Sequence, residues 1–157
     1  MLARDHQALE GLPLKLLIMS LLVSMTAPAV MGSLDGYERS LTRSEMMSEA
    51  SRLARLTEEV LSAGEGNRRS ITMELPTASS RYGMIIEVGG GIDNASKYTI
   101  RCLEEEKVFS TIVLDDPPVR TITKNGSPLT LDAGTVPLML ECARIEGRLC
   151  VVVEAIP

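Results

Sequence analysis

Residues 16–34 read LLIMSLLVSMTAPAVMGSL, a run of nineteen positions without a charged side chain. A helix of this length rises about 28 Å, close to the roughly 30 Å thickness of the hydrocarbon core of a bilayer. Lys15 precedes the run, where its long side chain would reach the lipid headgroups. We call residues 16–34 the apolar segment and predict that a transmembrane or assembly helix covers residues 12–34, approximately.

After the apolar segment, hydrophobic residues recur at steps of three and four positions, as they do in an amphipathic helix. They are Leu34, Tyr37, Leu41, Met46, Ala50, Leu53, Leu56 and Val60. The residues between them are mostly charged, Arg39 and Arg43 included, and are expected to form the opposite face of the helix. Gly64 and Gly66 provide the stop signal.

The apolar segment and the amphipathic stretch together predict one long helix over residues 8–64, with a membrane half and an amphipathic half. Pro28 is expected to kink this helix, because proline lacks a backbone donor and its ring disturbs the preceding turn. The apolar face of the second half needs a partner, which is either the rest of the chain or another helix.

Residues 67–157 show the period-two alternation and the frequent turn residues that are typical of strands. Seven or eight strands are predicted, within residues 70–75, 83–88, 97–103, 108–114, 119–123, 129–131, 136–145 and 148–156. Asn125-Gly126 predicts a hairpin between the fifth and sixth of them, and Glu146-Gly147 a final hairpin. The predicted fold is α+β: a long kinked helix followed by a β-rich head domain, either an antiparallel β-sandwich or a curved sheet.

Composition argues against several classes of function. The chain has 21 acidic and 16 basic residues and a net charge of −5, so it lacks the basic surface that nucleic acid requires. With a single histidine and three cysteines, no metal site, cofactor site or catalytic pair is evident in the pattern. We therefore expect a protein that is not an enzyme, uses no cofactor and binds no nucleic acid.

The N-terminal pattern resembles a known family. A short polar leader, residues 1–7, contains Arg4, Asp5 and His6, and His6-Gln7-Ala8-Leu9-Glu10 leads into the apolar run. This arrangement resembles archaeal type IV pilin-like proteins, which carry class III signal peptides. The resemblance implies that a prepilin peptidase cuts between Asp5 and His6 and leaves the apolar helix attached. Glu10 would then be the glutamate that the family has at the fifth mature position, whereas Asp5 stands where the family usually has glycine or alanine.

The position of Glu10 also has a physical reading. A carboxylate at the start of an apolar helix favours pairing with a positive group, such as the freed α-amino group of a neighbouring subunit, once both enter a bundle of low dielectric constant. The alternative is an ordinary first-turn acid ahead of Pro13, as in many helices.

Two further kinds of site follow from short motifs. Asn94-Ala95-Ser96 and Asn125-Gly126-Ser127 match the acceptor pattern for N-glycosylation. Cys142 and Cys150 flank the predicted last hairpin, and a three-residue loop there would set them opposite one another for a disulfide, whereas a two-residue loop would misalign them.

These observations predict a pilin-like structural subunit, a major or minor pilin, that is anchored by its helix and assembles with other pilin-like subunits through it. Its partners would be membrane lipid and the peptidase, and its β domain would lie outside the cytoplasm on a single-pass membrane protein or a surface filament. One alternative is an uncleaved single-pass surface protein with a binding domain of β-sandwich type. Another is a secreted protein whose signal is cut near Ala27-Pro28-Ala29.

Overall fold

The fold is α+β, with one long helix followed by two four-stranded sheets. The computed structural model describes the backbone of residues 6–90 and 95–156, and the side chains of residues 13–90 and 96–156. Contacts within the chain define two compact units, Met1–Glu38 and Arg39–Pro157.

The elements follow one another in a simple order. They are α1 (His6–Ser62), β1 (Arg68–Leu75), α2 (Ala78–Arg81), β2 (Met84–Val88), a 3₁₀ turn (Ala95–Tyr98), β3 (Thr99–Glu104), β4 (Lys107–Val113), β5 (Thr121–Ile122), β6 (Leu129–Leu131), β7 (Gly134–Ile145) and β8 (Arg148–Ala155). The eight strands agree with the seven or eight predicted from the sequence, while α2 and the 3₁₀ turn were not predicted.

The long helix ends at Ser62, two residues before its predicted end at residue 64. Both Pro13 and Pro28 lie inside α1, whose helical assignment continues through them. After the helix ends, Gly64 and Gly66 adopt φ angles of +92° and +86°, in the left-handed region that glycine reaches without a steric penalty. The predicted stop signal is therefore confirmed.

The second half of α1 packs within the C-terminal unit. Met46, Ala50 and Leu53 are completely buried, and the same apolar stripe continues through Leu56 and Val60. The partner that this face requires is thus the chain's own β-rich part.

The apolar stripe of the amphipathic half of α1 was predicted to begin at Leu34, which is too early in the chain. Leu34, Tyr37 and Leu41 were expected to belong to it, but all three are exposed. In the described chain, Thr42 is the first buried residue of the helix and Met46 is its first buried hydrophobic residue.

The eight strands form two sheets, in the orders β1-β7-β8-β5 and β4-β3-β2-β6. All pairings between the named strands are antiparallel except the short parallel pairing of β5 with β8. Two-residue turns close the β3–β4 and β7–β8 hairpins: Glu105-Glu106, with φ angles of +48° and +68°, and Glu146-Gly147, with +50° and +76°. Positive φ at both central residues is characteristic of the type I′ turn, one of the two turn types common in two-residue hairpins.

The hairpin predicted at Asn125-Gly126 is wrong. β5 pairs with β8 in one sheet, whereas β6 pairs with β2 in the other. A turn is nevertheless present, because the N–H of Gly126 donates to the carbonyl oxygen of Thr123 at 3.2 Å. The segment therefore carries the chain from one sheet to the other.

One hydrophobic core joins the helix to both sheets within the C-terminal unit. It contains Met46 and Leu53 of α1, Met73 and Leu140 of the first sheet, and Ile86 of the second. The strands contribute to it by alternation, as β1 shows with Ile71, Met73 and Leu75 buried and the intervening residues exposed.

Candidate functional site

The candidate site is the apolar segment, which is the largest apolar surface that the described chain leaves uncovered. Its large hydrophobic side chains are between 48% and 71% exposed. They are Leu16, Leu17, Ile18, Met19, Leu21, Leu22, Val23, Met25, Val30, Met31 and Leu34. Exposed apolar surface of this extent is typical of membrane or protein interaction sites, since water disfavours it.

Three of the four hydroxyl groups within the apolar segment donate to carbonyl oxygens of the helix itself. Ser20 Oγ donates to the Leu17 carbonyl oxygen at 2.9 Å, and Ser24 Oγ to that of Leu21 at 2.8 Å. Thr26 Oγ1 donates to the Leu22 carbonyl oxygen at 2.9 Å. A polar group without a partner is costly in an apolar medium, so these bonds make the segment compatible with one.

The length and composition of α1 are also compatible with a segment that lies in an apolar medium. From Pro13 onward α1 contains a window with a mean hydropathy of 1.9, and the helix is long enough and apolar enough to cross a membrane. Charged residues bound the apolar segment on both sides, with Lys15 before it and Asp35 after it.

Small residues lie at a four-residue step along this part of α1, a pattern that was not predicted. They are Ser20, Ser24, Gly32 and Gly36, with Pro28 at the position between the two pairs. A Cβ atom added at Gly32 or Gly36 would meet nothing within 4 Å, so no close approach within the described chain requires glycine there. Small residues at this spacing let membrane helices approach one another closely.

A buried charge cluster in the C-terminal unit was also missed. Glu104, only 5% exposed, accepts hydrogen bonds from Arg39 Nε to its Oε1 at 2.6 Å and from Arg43 Nε to its Oε2 at 3.1 Å. A second guanidinium nitrogen of Arg43 also contacts Oε2. The helical periodicity predicted both arginines on the charged face of α1, and their hydrogen bonds join that face to Glu104, the last residue of β3.

The electrostatics of this cluster favour the charged carboxylate. The hydrogen bond from Arg39, assisted by Arg43, lowers the pKa of Glu104 below its ordinary value, against the opposing effect of burial. The guanidinium carbon of Arg43 lies 5.5 Å from the ring centroid of Phe109, within the range of a cation–π contact. The cluster can hold α1 and the β3–β4 hairpin together, but it presents no reacting group.

The residues predicted for processing fall at the edge of the described chain. Arg4 and Asp5 lie outside the described residues. His6 is the first residue of α1 and Glu10 lies in its second turn, where only the backbone is described.

Only one of the two glycosylation motifs is described by the structure. Asn94 lies outside the described residues. Asn125 is exposed, and its Oδ1 accepts a hydrogen bond from the backbone N–H of Ser127 at 3.2 Å. The motif at Asn125 thus stands on the surface of the loop between β5 and β6.

The structure does not bring Cys142 and Cys150 together. The β7–β8 hairpin has a two-residue loop, so Cys142 lies opposite Val151 and Cys150 opposite Ala143. This offset of one residue places the two thiols on opposite faces of the sheet, because side chains alternate along a strand. Both thiols are free and buried, as is that of Cys102.

Within residues 6–90 and 95–156, no group of three or more histidine, cysteine, aspartate or glutamate side chains could hold a metal ion. Comparisons with protein-family models, with curated proteins and with solved structures find no match to this chain.

Proposed function

We propose that this chain is a type IV pilin-like structural subunit, a major or minor pilin, anchored in the membrane by its N-terminal helix. The observation that carries the proposal is the exposed apolar segment. Its large hydrophobic side chains are not covered in the described chain, and the hydroxyl groups of Ser20, Ser24 and Thr26 donate to carbonyl oxygens within the helix. Such a surface is stable only in lipid or against other apolar helices.

In this proposal the two halves of α1 have different partners. The apolar segment waits in the bilayer and then packs against the equivalent helices of other subunits, where the four-residue step of small residues permits close contact. The second half packs against the chain's own strands, as Met46 and Leu53 do. Assembly therefore needs no rearrangement of the core.

We infer that the β-rich part is a β-sandwich head outside the cytoplasm. Support for the sandwich comes from the shared core, in which Leu138 and Leu140 of one sheet and Ile86 and Ile100 of the other belong to one cluster with the helix. The location outside the cytoplasm follows from the pilin-like arrangement of leader, apolar helix and head.

Processing of the leader is part of the proposal. A prepilin peptidase would cut between Asp5 and His6, which frees an α-amino group and leaves Glu10 at the fifth position. That carboxylate would pair with the α-amino group of a neighbouring subunit in the helical bundle, because a charge buried in an apolar medium requires an opposite charge.

The decisive experiment determines the N-terminal residue and the intact mass of the membrane-bound protein. The full chain is expressed in a host that carries a prepilin peptidase and in a matched host from which the peptidase gene is deleted. We expect the purified protein to start at His6, with the apolar segment retained in the intact mass, only in the first host. An N-terminus near Val30 or Gly32 would overturn the proposal, because it would show that the apolar segment is a secretory signal.

Asp5 favours a second candidate, because an acidic residue stands where pilin-like proteins usually have glycine or alanine. This candidate is an uncleaved single-pass surface protein whose head binds a partner. It predicts an intact Met1 in both hosts. The variant Asp5→Gly distinguishes it further, since cleavage of that variant alone would identify Asp5 as the obstacle.

A further inference from the structure

The C-terminal unit has four sheet edges, and three of them are short or covered. β5 and β6 are edge strands of two and three residues. The outer edge of β1 is covered by α1, because Arg52 donates to the Thr72 carbonyl oxygen at 3.2 Å and Glu49 accepts from the N–H of Glu74 at 3.5 Å. An edge strand with unpaired backbone groups is a template for another chain.

The fourth edge, β4, is open. It has seven residues and pairs only with β3 among the described strands. Val108 and Val113, 48% and 53% exposed, are the only exposed large hydrophobic residues in the described strands, and both belong to β4.

The geometry of the β3–β4 ladder identifies the backbone groups available at this edge. The N–H of Leu114 donates to the Tyr98 carbonyl oxygen at 2.8 Å, so Leu114 faces β3. Because backbone groups alternate in direction along an antiparallel strand, Thr111 and Val113 present their N–H and C=O groups outward. A β-bulge at Phe109 interrupts the register, which limits the regular part of the edge to residues 110–113.

The acidic residues at both ends of β4 favour a basic partner strand at this edge. Glu105 and Glu106 precede β4, and Asp115 and Asp116 follow it, all four exposed. Lys107 offsets only one of these charges. A second copy of β4 would therefore bring acidic residues against acidic residues at both ends, in either strand direction.

We propose that the β4 edge binds an extended segment of a partner protein in which alternating apolar residues are flanked at both ends by lysine or arginine. The segment would add a strand to the sheet through the outward groups of Thr111 and Val113, with its basic ends beside the two acidic pairs. The proposal concerns the C-terminal unit and does not depend on the pilin-like assignment.

The test uses the full chain in detergent micelles and the fluorescent synthetic peptide Lys-Lys-Val-Thr-Val-Thr-Val-Lys-Lys, with binding followed by anisotropy. Two control peptides carry glutamate in place of each lysine, or proline in place of the central valine. We expect saturable binding of the first peptide alone. Binding of the glutamate peptide with equal affinity, or of the proline peptide, would overturn the proposal.

A matched pair of protein variants locates the site. Thr111→Pro removes the outward N–H without removing a bond to β3, and proline is tolerated at such positions of edge strands. Thr111→Ala keeps the N–H. We expect Thr111→Pro to weaken binding about tenfold or more and Thr111→Ala to stay within about twofold. Equal affinities for the two folded variants would contradict the proposal.

A second variant keeps the test valid if Thr111→Pro fails to fold. Asp116→Asn removes one exposed acidic charge beyond the end of β4. We expect it to weaken binding of the lysine peptide several-fold at low salt, with the difference shrinking as salt screens the charges. If Asp116→Asn leaves the affinity unchanged at low salt, the proposal that the basic ends of the partner segment lie beside the acidic pairs is overturned.

Discussion

Arg39 Nε lies 2.6 Å from Glu104 Oε1, although 65 residues separate the two in the chain. Arg43, one helical turn later, binds the second oxygen of the same carboxylate. Burial of a carboxylate is tolerated only where opposite charges and hydrogen bonds compensate for the lost water. This cluster therefore joins the start of the packed part of α1 to the end of β3, beside the turn of the β3–β4 hairpin.

Neutralising this carboxylate should destabilise the C-terminal unit. Glu104→Gln removes the charge that two arginines share, and we expect a loss of about 2 kcal/mol in the free energy of unfolding. The measurement is thermal unfolding of the full chain in detergent, followed by circular dichroism of the strands. The control is Glu106→Gln, an exposed glutamate in the adjacent turn, which should change stability by less than about 0.5 kcal/mol. Equal effects of the two substitutions would contradict the role of the cluster.

The same carboxylate should make stability depend on acid pH. Because the arginines lower the pKa of Glu104 in the folded state, the unfolded chain binds its proton more readily. The stabilisation is fully present above the ordinary glutamate pKa of about 4.3 and is lost as the pH falls through the lower pKa of the folded state.

Unfolding scans of the native chain and of Glu104→Gln across pH 2–6 would measure this contribution. We expect the difference in melting temperature between the two to narrow below about pH 4.3. Other carboxyl groups titrate in both proteins and cancel in the difference. A constant difference over this range would show that the charge of Glu104 is not what stabilises the fold.

The apolar segment makes a separate prediction about the membrane. Leu22 is exposed in the middle of this segment. An arginine there costs roughly 2.5–3.5 kcal/mol for insertion of the helix, so Leu22→Arg should shift the protein from the membrane fraction to the soluble or degraded fraction. Leu22→Ala, the matched control, should remain in the membrane after alkaline carbonate extraction. Unchanged extraction of Leu22→Arg would argue against a spanning helix.

Assembly through the helix can be tested at Gly32. Its surroundings are open within the described chain, so Gly32→Leu should leave the folding of the C-terminal unit unchanged. In a bundle, however, the added side chain would separate neighbouring helices. We expect chemical crosslinking of copies in membranes to fall several-fold for Gly32→Leu and much less for Gly32→Ala. Equal crosslinking of both variants would place the helix contact elsewhere.

Local patterns predicted the strands well, because alternation and turn residues are properties of neighbouring positions. The β1 alternation of Ile71, Met73 and Leu75 and the turn at Glu146-Gly147 needed no information from elsewhere in the chain. Pairing between distant strands is different. Asn125-Gly126 has the sequence of a hairpin turn. The chain nevertheless passes from one sheet to the other there, because β5 pairs with β8 and β6 pairs with β2.

The ion pairs of Glu104 and the true start of the buried helix face were not predicted, because both depend on contacts between distant parts of the chain. Nothing around Glu104 in the sequence indicates that two arginines more than sixty positions earlier will bind it. The periodic spacing of Leu34, Tyr37 and Leu41 continues the apolar stripe, but periodicity does not show where a partner surface begins. In contrast, the four-residue step of small residues ending at Gly36 was readable from the sequence alone.

The register of the last hairpin predicts three free thiols. Cys142 and Cys150 lie on opposite faces of the sheet, and a bond between them would require β7 to slip against β8, which would also turn Leu140 out of the core. Unfolded without reductant, the protein should therefore take up three alkyl groups by mass spectrometry. In the folded protein alkylation should be slow, because all three thiols are buried and burial raises the pKa of Cys102 to about 11. The same experiment after reduction is the control. Uptake of one alkyl group before reduction and three after it would demonstrate a disulfide and contradict the register of β7 and β8.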